Sequence, residues 1–159
     1  MDILEQPLTE QDKETILREV IDRFLIPKYR ELGLEASGLF AQLTHARNES
    51  IWGPDYTQYM VQGRGPNANQ DPAALRAWAV WAGKTFIAEW AQRKGVDIDP
   101  IAIAYKIARD GTTHYPEGTE LLEVLASPEC IAFINQRVAD FTVVQVRLRL
   151  QRDIKKAFA

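Results

Sequence analysis

Thr142-Val143-Val144-Gln145-Val146-Arg147-Leu148-Arg149-Leu150 admits two readings, and the architecture of the C-terminal third turns on which one holds. Val144, Val146, Leu148 and Leu150 alternate with Gln145, Arg147, Arg149 and Gln151, the period of two expected of a strand with one wet face. Val143, Val146, Leu150, Ile154 and Ala157 recur instead at helical spacing. The alternation is the more regular pattern and predicts a strand from about Thr142 to Leu150, followed by a short helix.

A second alternation lies nearer the start. Leu39, Ala41 and Leu43 interleave with Phe40, Gln42 and Thr44, the polar group Arg47-Asn48-Glu49-Ser50 can turn the chain, and Ile51-Trp52 resume an extended run before Gly53-Pro54. This predicts a hairpin from Leu39 to Trp52. The remaining segments are helical in period. Thr9 with Asp12 forms an N-cap signal ahead of Ile16, Leu17, Val20, Ile21, Phe24 and Leu25. Pro27 should end or kink that helix, leaving Tyr29 and Leu32 on a short continuation stopped by Gly33. Tyr56, Tyr59 and Met60 share a face of a short helical stretch that Gly63 ends. Asp71-Pro72 is a strong helix start, and Leu75, Trp78, Ala82, Phe86 and Trp90 form one stripe closed by Lys94-Gly95, with Trp81 partly off it. Asp99-Pro100 repeats the signal for a helix carrying Ile103, Ile107 and Ala108 and ending at Gly111. Thr119 starts a short turn after the loop Thr112 to Gly118, and Ser127-Pro128 starts a helix with Ile131, Ile134, Val138 and Phe141. The expected fold class is α+β: a small antiparallel sheet or hairpin packed with several amphipathic helices. It forms a single domain over residues 1–159, with an extended N-terminal segment 1–9 and a basic C-terminal segment 142–159.

Length and composition agree with one core. A chain of 159 residues buries roughly 70% of its unfolded surface, and 46% hydrophobic with 26% charged residues fits neither a disordered chain nor a fibrous repeat. Apolar runs such as Ala77 to Ala82 are far shorter than the roughly 20 residues of a membrane span. Asp2 and Glu5 interrupt any signal-like start, so no membrane association and a cytoplasmic location in the producing cell are expected. Cys130, the single cysteine, excludes an internal disulfide or a thiolate-rich metal site and reads as a small buried hydrophobe.

The chemistry-bearing residues are sparse. His45 and His114 are the only histidines; neither sits in a metal-ligand spacing, and both read as surface residues. No nucleophile elbow, phosphate-binding loop or dinucleotide fingerprint occurs, so no catalytic residue, metal or cofactor is expected. Gly63-Arg64-Gly65-Pro66-Asn67 has the glycines of a phosphate cradle but lacks the preceding strand and the Gly-Lys-Ser/Thr ending, and reads as a turn. Trp78, Trp81 and Trp90 could form a ligand platform, but their helical spacing favours core packing, with Trp81 the most exposed or interfacial of them.

Charge is segregated although the net is only −3, which argues against general nucleic-acid binding. Met1 to Asp22 holds seven acidic residues against Lys13 and Arg18, whereas Thr142 to Ala159 holds Arg147, Arg149, Arg152, Lys155 and Lys156 against Asp153. Two solvated faces, complementary ends within or between subunits, or DNA contact by the basic end would each use this arrangement.

Ile51-Trp52-Gly53-Pro54-Asp55-Tyr56-Thr57-Gln58-Tyr59-Met60-Val61-Gln62-Gly63-Arg64-Gly65-Pro66-Asn67 resembles a segment of the tail-completion, or head–tail joining, proteins of long-tailed bacteriophages and their minor tail component relatives. In that family an N-terminal helix leads to a strand hairpin, a Y-x-x-Y-x-x-x-G segment and a Gly-rich turn. Tyr56, Tyr59 and Gly63 match the segment here, and Ile103 to Thr112, with Lys106, Ile107, Ala108, Arg109 and Gly111, resembles a stretch of phage versions with an added helical region. The chain departs from the commoner pattern in its long Trp-rich helix and in lacking an aromatic-proline-arginine ending. The resemblance implies a non-enzymatic virion protein at the head–tail junction (neck) or tail end, assembled in the host cytoplasm. Its implied partners are further copies of itself in a ring, other phage neck and tail proteins, and non-specific DNA in the channel. Candidate interface residues are Tyr56, Tyr59, Arg64, Trp81, Arg147, Arg149 and Arg152. The alternatives are a small regulatory or nucleic-acid-binding protein using the basic C-terminal segment, or an enzyme with an unrecognised carboxylate site.

Overall fold

The computed structural model describes residues 8–35 and 38–157; most of the expected N-terminal segment 1–9 lies outside them. Thr9 accepts from the Asp12 amide at 3.1 Å while the Asp12 carboxylate accepts from the Thr9 amide at 3.1 Å. This capping box starts α1 (Glu10–Val20). Pro27 does not end the helix. The chain widens into a π-helical turn at Ile21–Leu25 and resumes as α2 (Ile26–Glu31), with Pro27 in its first turn. A wider turn relieves the clash of the proline ring with the carbonyl four residues back, and Tyr29 is carried into the core before Gly33 stops the helix in a left-handed conformation.

The expected hairpin is shorter than its alternation suggested. Leu39–Leu43 is a single helical turn, α3, not a strand. Helical spacing points Phe40 and Thr44 inward together while Leu39 and Leu43 are exposed. Burial of Phe40 against Tyr29, ring centroids 4.6 Å apart, overrides the period of two. The strands are β1 (His45–Arg47) and β2 (Ser50–Trp52), paired antiparallel with Ala46 opposite Ile51. Asn48 and Glu49 both adopt positive φ, the two-residue turn that matches strand twist. The turn is tied to α1 by a Lys13–Glu49 ion pair and by the Asn48 amide donating to Glu14 at 3.3 Å.

α4 (Thr57–Gln62) ends at Gly63, and α5 (Pro72–Ala82) is capped by Asp71, which accepts from the Ala73 and Ala74 amides. A second π-helical turn, Gly83–Ile87, joins α5 to α6 (Ala88–Lys94). α7 (Pro100–Asp110) crosses α5 and this turn through Ala79, Ala82, Ile87 and Ala104. The buried row is Leu75, Ala79, Ala82, Gly83, Ile87 and Ala91. The expected stripe therefore holds at Leu75 and Ala82 but fails at Phe86 and Trp90, which are exposed. The physical reason is the π turn: its extra residue displaces the register by one, so Ile87 and Ala91 take the inward positions.

After a 3-10 turn at Glu123–Ala126, α8 runs without interruption from Pro128 to Ala157. The strand expected over 142–150 is not formed. A tertiary partner decides the outcome: α8 lies antiparallel to α1, where Cys130, Phe133, Ile134 and Phe141 meet Ile16, Val20 and Phe24. Arg137 donates through Nε and Nη2 to both Glu19 carboxylate oxygens at 2.6 and 2.8 Å, and Gln145 donates to Asp12 at 2.8 Å. Of the four apolar residues named for the expected helix, Ile134 and Phe141 pack on α1 while Ile131 and Val138 are exposed. The architecture is α+β, with one two-stranded antiparallel sheet among the described residues. Ile21, Leu25, Ile26, Tyr29, Phe40 and Leu121 make its largest core cluster.

Candidate interaction surface

Two loops that are distant in sequence are stitched together beside α5. Residues 60–67 and 108–119 exchange backbone hydrogen bonds: Asn67 donates to Ala108 O at 2.7 Å, Thr112 to Arg64 O at 2.7 Å, and Thr119 to Val61 O at 2.6 Å. The Arg64 amide donates to Thr112 Oγ1 at 2.8 Å. The approach is so close that only glycine fits at the crossing. A Cβ on Gly63 would stand 2.6 Å from Tyr115 N, and one on Gly111 would stand 2.7 Å from Arg64 O. Gly63 also has φ +74, the left-handed region that favours glycine. At Gly65 φ is not positive, and space is the constraint instead, because an added Cβ would meet the Tyr115 ring at 3.0 Å. With the Arg64 and Asn67 amides committed to the opposite loop, the Gly-rich turn is a structural clamp rather than an anion cradle.

That clamp aims Arg64. Its guanidinium donates to Gly65 O at 3.3 Å and to Asn67 Oδ1, and lies over the Trp78 ring at 4.4 Å. Burial lowers the Arg64 pKa, and the nearby Tyr59 partly opposes this; the group remains a cation at any physiological pH. Trp78 meets Trp81 and Phe86 edge to face, centroids 6.5 and 6.4 Å away, and Trp81 and Phe86 meet at 5.7 Å. Trp81 is 58% exposed, Phe86 47% and Trp90 38%. Taking up to about 250 Å² for a whole aromatic side chain, these three show roughly 300 Å² of apolar surface.

The structure thus gathers Arg64 and Trp81, two of the expected interface residues, around Trp78, and brings exposed Tyr59 near the Arg64 guanidinium. Tyr56 opens α4 and is exposed, with burial of its hydroxyl pushing the pKa up. Met60 does not share the outward face with Tyr59; it packs on the main core. Arg147, Arg149 and Arg152 lie on α8 and do not form one polar face there: Arg147 and Arg152 are exposed while Arg149 is half-buried. Phe86 belongs to the aromatic cluster and Trp90, four residues on, is exposed as well, although their spacing predicts core positions. The signal that could have found them is the competing row Ala79, Gly83, Ile87, Ala91, whose small residues suit close helix packing better than indoles do.

His45 and His114 are exposed and Cys130 is buried, as expected. Burial raises the Cys130 thiol pKa. Among the described residues no group of three or more His, Cys, Asp or Glu could hold a metal ion, and no helix is long and apolar enough to cross a membrane. Comparison with protein-family models, curated proteins and solved structures finds no match to the chain.

Proposed function

We propose that this chain is a non-enzymatic structural protein of a tailed-phage virion that self-associates into a ring at the head–tail junction or tail end, where it meets other neck and tail proteins. The observation that carries the self-association is the exposed Trp81–Phe86–Trp90 surface, held on a clamped frame with Arg64 stacked on Trp78. Tryptophan and arginine are enriched among residues that anchor protein interfaces, and a preorganised aromatic cluster loses little entropy on docking. The phage assignment is supported by the resemblance. Its two segments, 51–67 and 103–112, meet in the clamp, where the Asn67 amide bonds Ala108 O and the Thr112 amide bonds Arg64 O.

Magnitude limits what the aromatic surface does alone. About 300 Å² at 25 cal/mol per Å² gives roughly 7 kcal/mol from the apolar area of one face, against an association cost of about 4–15 kcal/mol. The surface anchors an interface, and a ring subunit needs further contacts. Sedimentation velocity on the full chain tests the reading. Trp81→Ala removes a largely exposed side chain with its edge contacts to Trp78 and Phe86, so it should lower the melting temperature by only a few degrees and shift the oligomer toward monomer. An unchanged sedimentation coefficient would remove the aromatic surface from assembly, and a wild-type monomer at every attainable concentration would refute the ring.

A further inference from the structure

The register that seats α8 on α1 continues beyond α1. Cys130, Ile134, Arg137, Phe141 and Gln145 recur at three and four residues along the contact, and Val144 and Leu148 form an exposed apolar row beside that face. Gln145 is level with Asp12, so Leu148 falls where α1 begins. Val144 is 54% exposed and Leu148 60%, and exposed Arg147 and Arg152 border this apolar row on either side. At 1.5 Å per residue the last twelve residues of α8 extend roughly 18 Å past the Gln145–Asp12 bond.

The opposite character lies at the other end of the same helix. Between Glu117 and Glu129 every charged residue is acidic, and Glu117, Glu120, Glu123 and Glu129 are all exposed. Leu122 among them is 43% exposed, and Ile131 in the first turn of α8 is exposed as well. A 30-residue helix is about 45 Å long. That rigid length keeps the basic row and the acidic edge from meeting within one copy.

We infer that the C-terminal part of α8 in one copy docks on the Glu117–Glu129 edge of the next. Val144 and Leu148 cover Leu122 and Ile131, while Arg147 and Arg152 face Glu120 and Glu123. The contact joins two different patches, so it is heterologous and propagates into a closed ring or a filament. The apolar row favours this occupant over DNA, since a phosphate backbone gives Val144 and Leu148 nothing to bury against. The inference rests on the self-associating reading above but uses a separate surface.

Charge reversal with rescue tests it, read by sedimentation at low ionic strength. R147E/R152E and E120K/E123K should each weaken self-association by about tenfold or more, and one chain carrying all four changes should recover it. Mixed chains carrying Leu148→Cys or Leu122→Cys should form an intermolecular disulfide, the native thiol being buried. Wild-type-like association by R147E/R152E, no recovery in the fourfold variant, or no cross-link would overturn the contact. Loss of duplex-DNA binding by R147E/R152E with normal assembly would overturn it in favour of DNA. Trp81→Ala dissociating the protein while the charge reversals do not would overturn this contact and leave the aromatic surface standing; the reverse pattern would do the opposite.

Discussion

Gly83→Ala sets two known effects against each other at a site where the structure decides the sign. Gly83 has an ordinary helical φ of −62°, so by helix propensity alone alanine should stabilise by roughly 0.5–1 kcal/mol. Its missing Cβ, however, faces the start of α7: an added Cβ would stand 2.8 Å from Ile101 Cα and 2.9 Å from Ile101 N. Ordinary carbon contacts are about 3.5–4.0 Å, so α7 must retreat by roughly 0.7 Å or more. A gap of that size forfeits about a quarter to a half of each dispersion contact across Ala79, Ala82 and Ala104, side chains too short to follow the movement. Overpacking of this kind costs about 1–3 kcal/mol, leaving a net destabilisation of about 1–2 kcal/mol, or roughly 3–6 °C in melting temperature for a chain of this length. Urea titration at constant m measures it. Ile101→Ala should not rescue the variant, because the obstructing N and Cα remain. A Gly83→Ala protein as stable as wild type would refute the reasoning, since it would show that the two helices are not in backbone contact there.

Three further outcomes follow from single sites. Trp78→Ala removes a half-buried ring and the seat of the Arg64 guanidinium and should cost about 2–3 kcal/mol, below the range for a fully buried tryptophan; a loss under about 1 kcal/mol in denaturant titration would place the ring in solvent. Thr44 is buried with its hydroxyl unpaired, so Thr44→Val should stabilise by about 1 kcal/mol, and thermal melting of the two proteins side by side would expose any error in that assignment. Cys130 is fully buried with its thiol pKa raised by desolvation, so the native protein should resist alkylation until denatured; mass spectrometry showing modification at the rate of a free thiol would contradict the α1–α8 packing.

The helix starts were legible in the sequence because capping is local. Thr9, Asp71 and Asp99 accept from amides two or three residues ahead, and neighbours in sequence suffice to reveal that. The interruptions were less visible. One π turn accommodates the proline at 27 and the other lies where Gly83 meets Ile101, and each shifts a register that periodicity reads as continuous. The alternation in 142–150 was real but outweighed, since α1 offers a seam that spacing of three and four satisfies and the two three-residue strands offer little edge. Within the candidate surface, Trp81 was legible as an outlier from its stripe. The seating of Arg64 on Trp78 depends on hydrogen bonds spanning 48 residues between Arg64 and Thr112, which no local pattern encodes.

The pairing of α1 with α8 also sets an order of events during protein synthesis. Glu19 and Arg137 are separated by 118 residues, which a ribosome adds in about 6–24 s at 5–20 residues per second. One side of α1 is served early, because the turn that bonds Lys13 arrives only 36 residues later. The Ile16, Val20 and Phe24 side must wait for the helix that supplies Cys130, Phe133 and Phe141. For that interval α1 carries an apolar stripe that Leu8 and Ile51 cover only in part, the surface on which a holding chaperone would act.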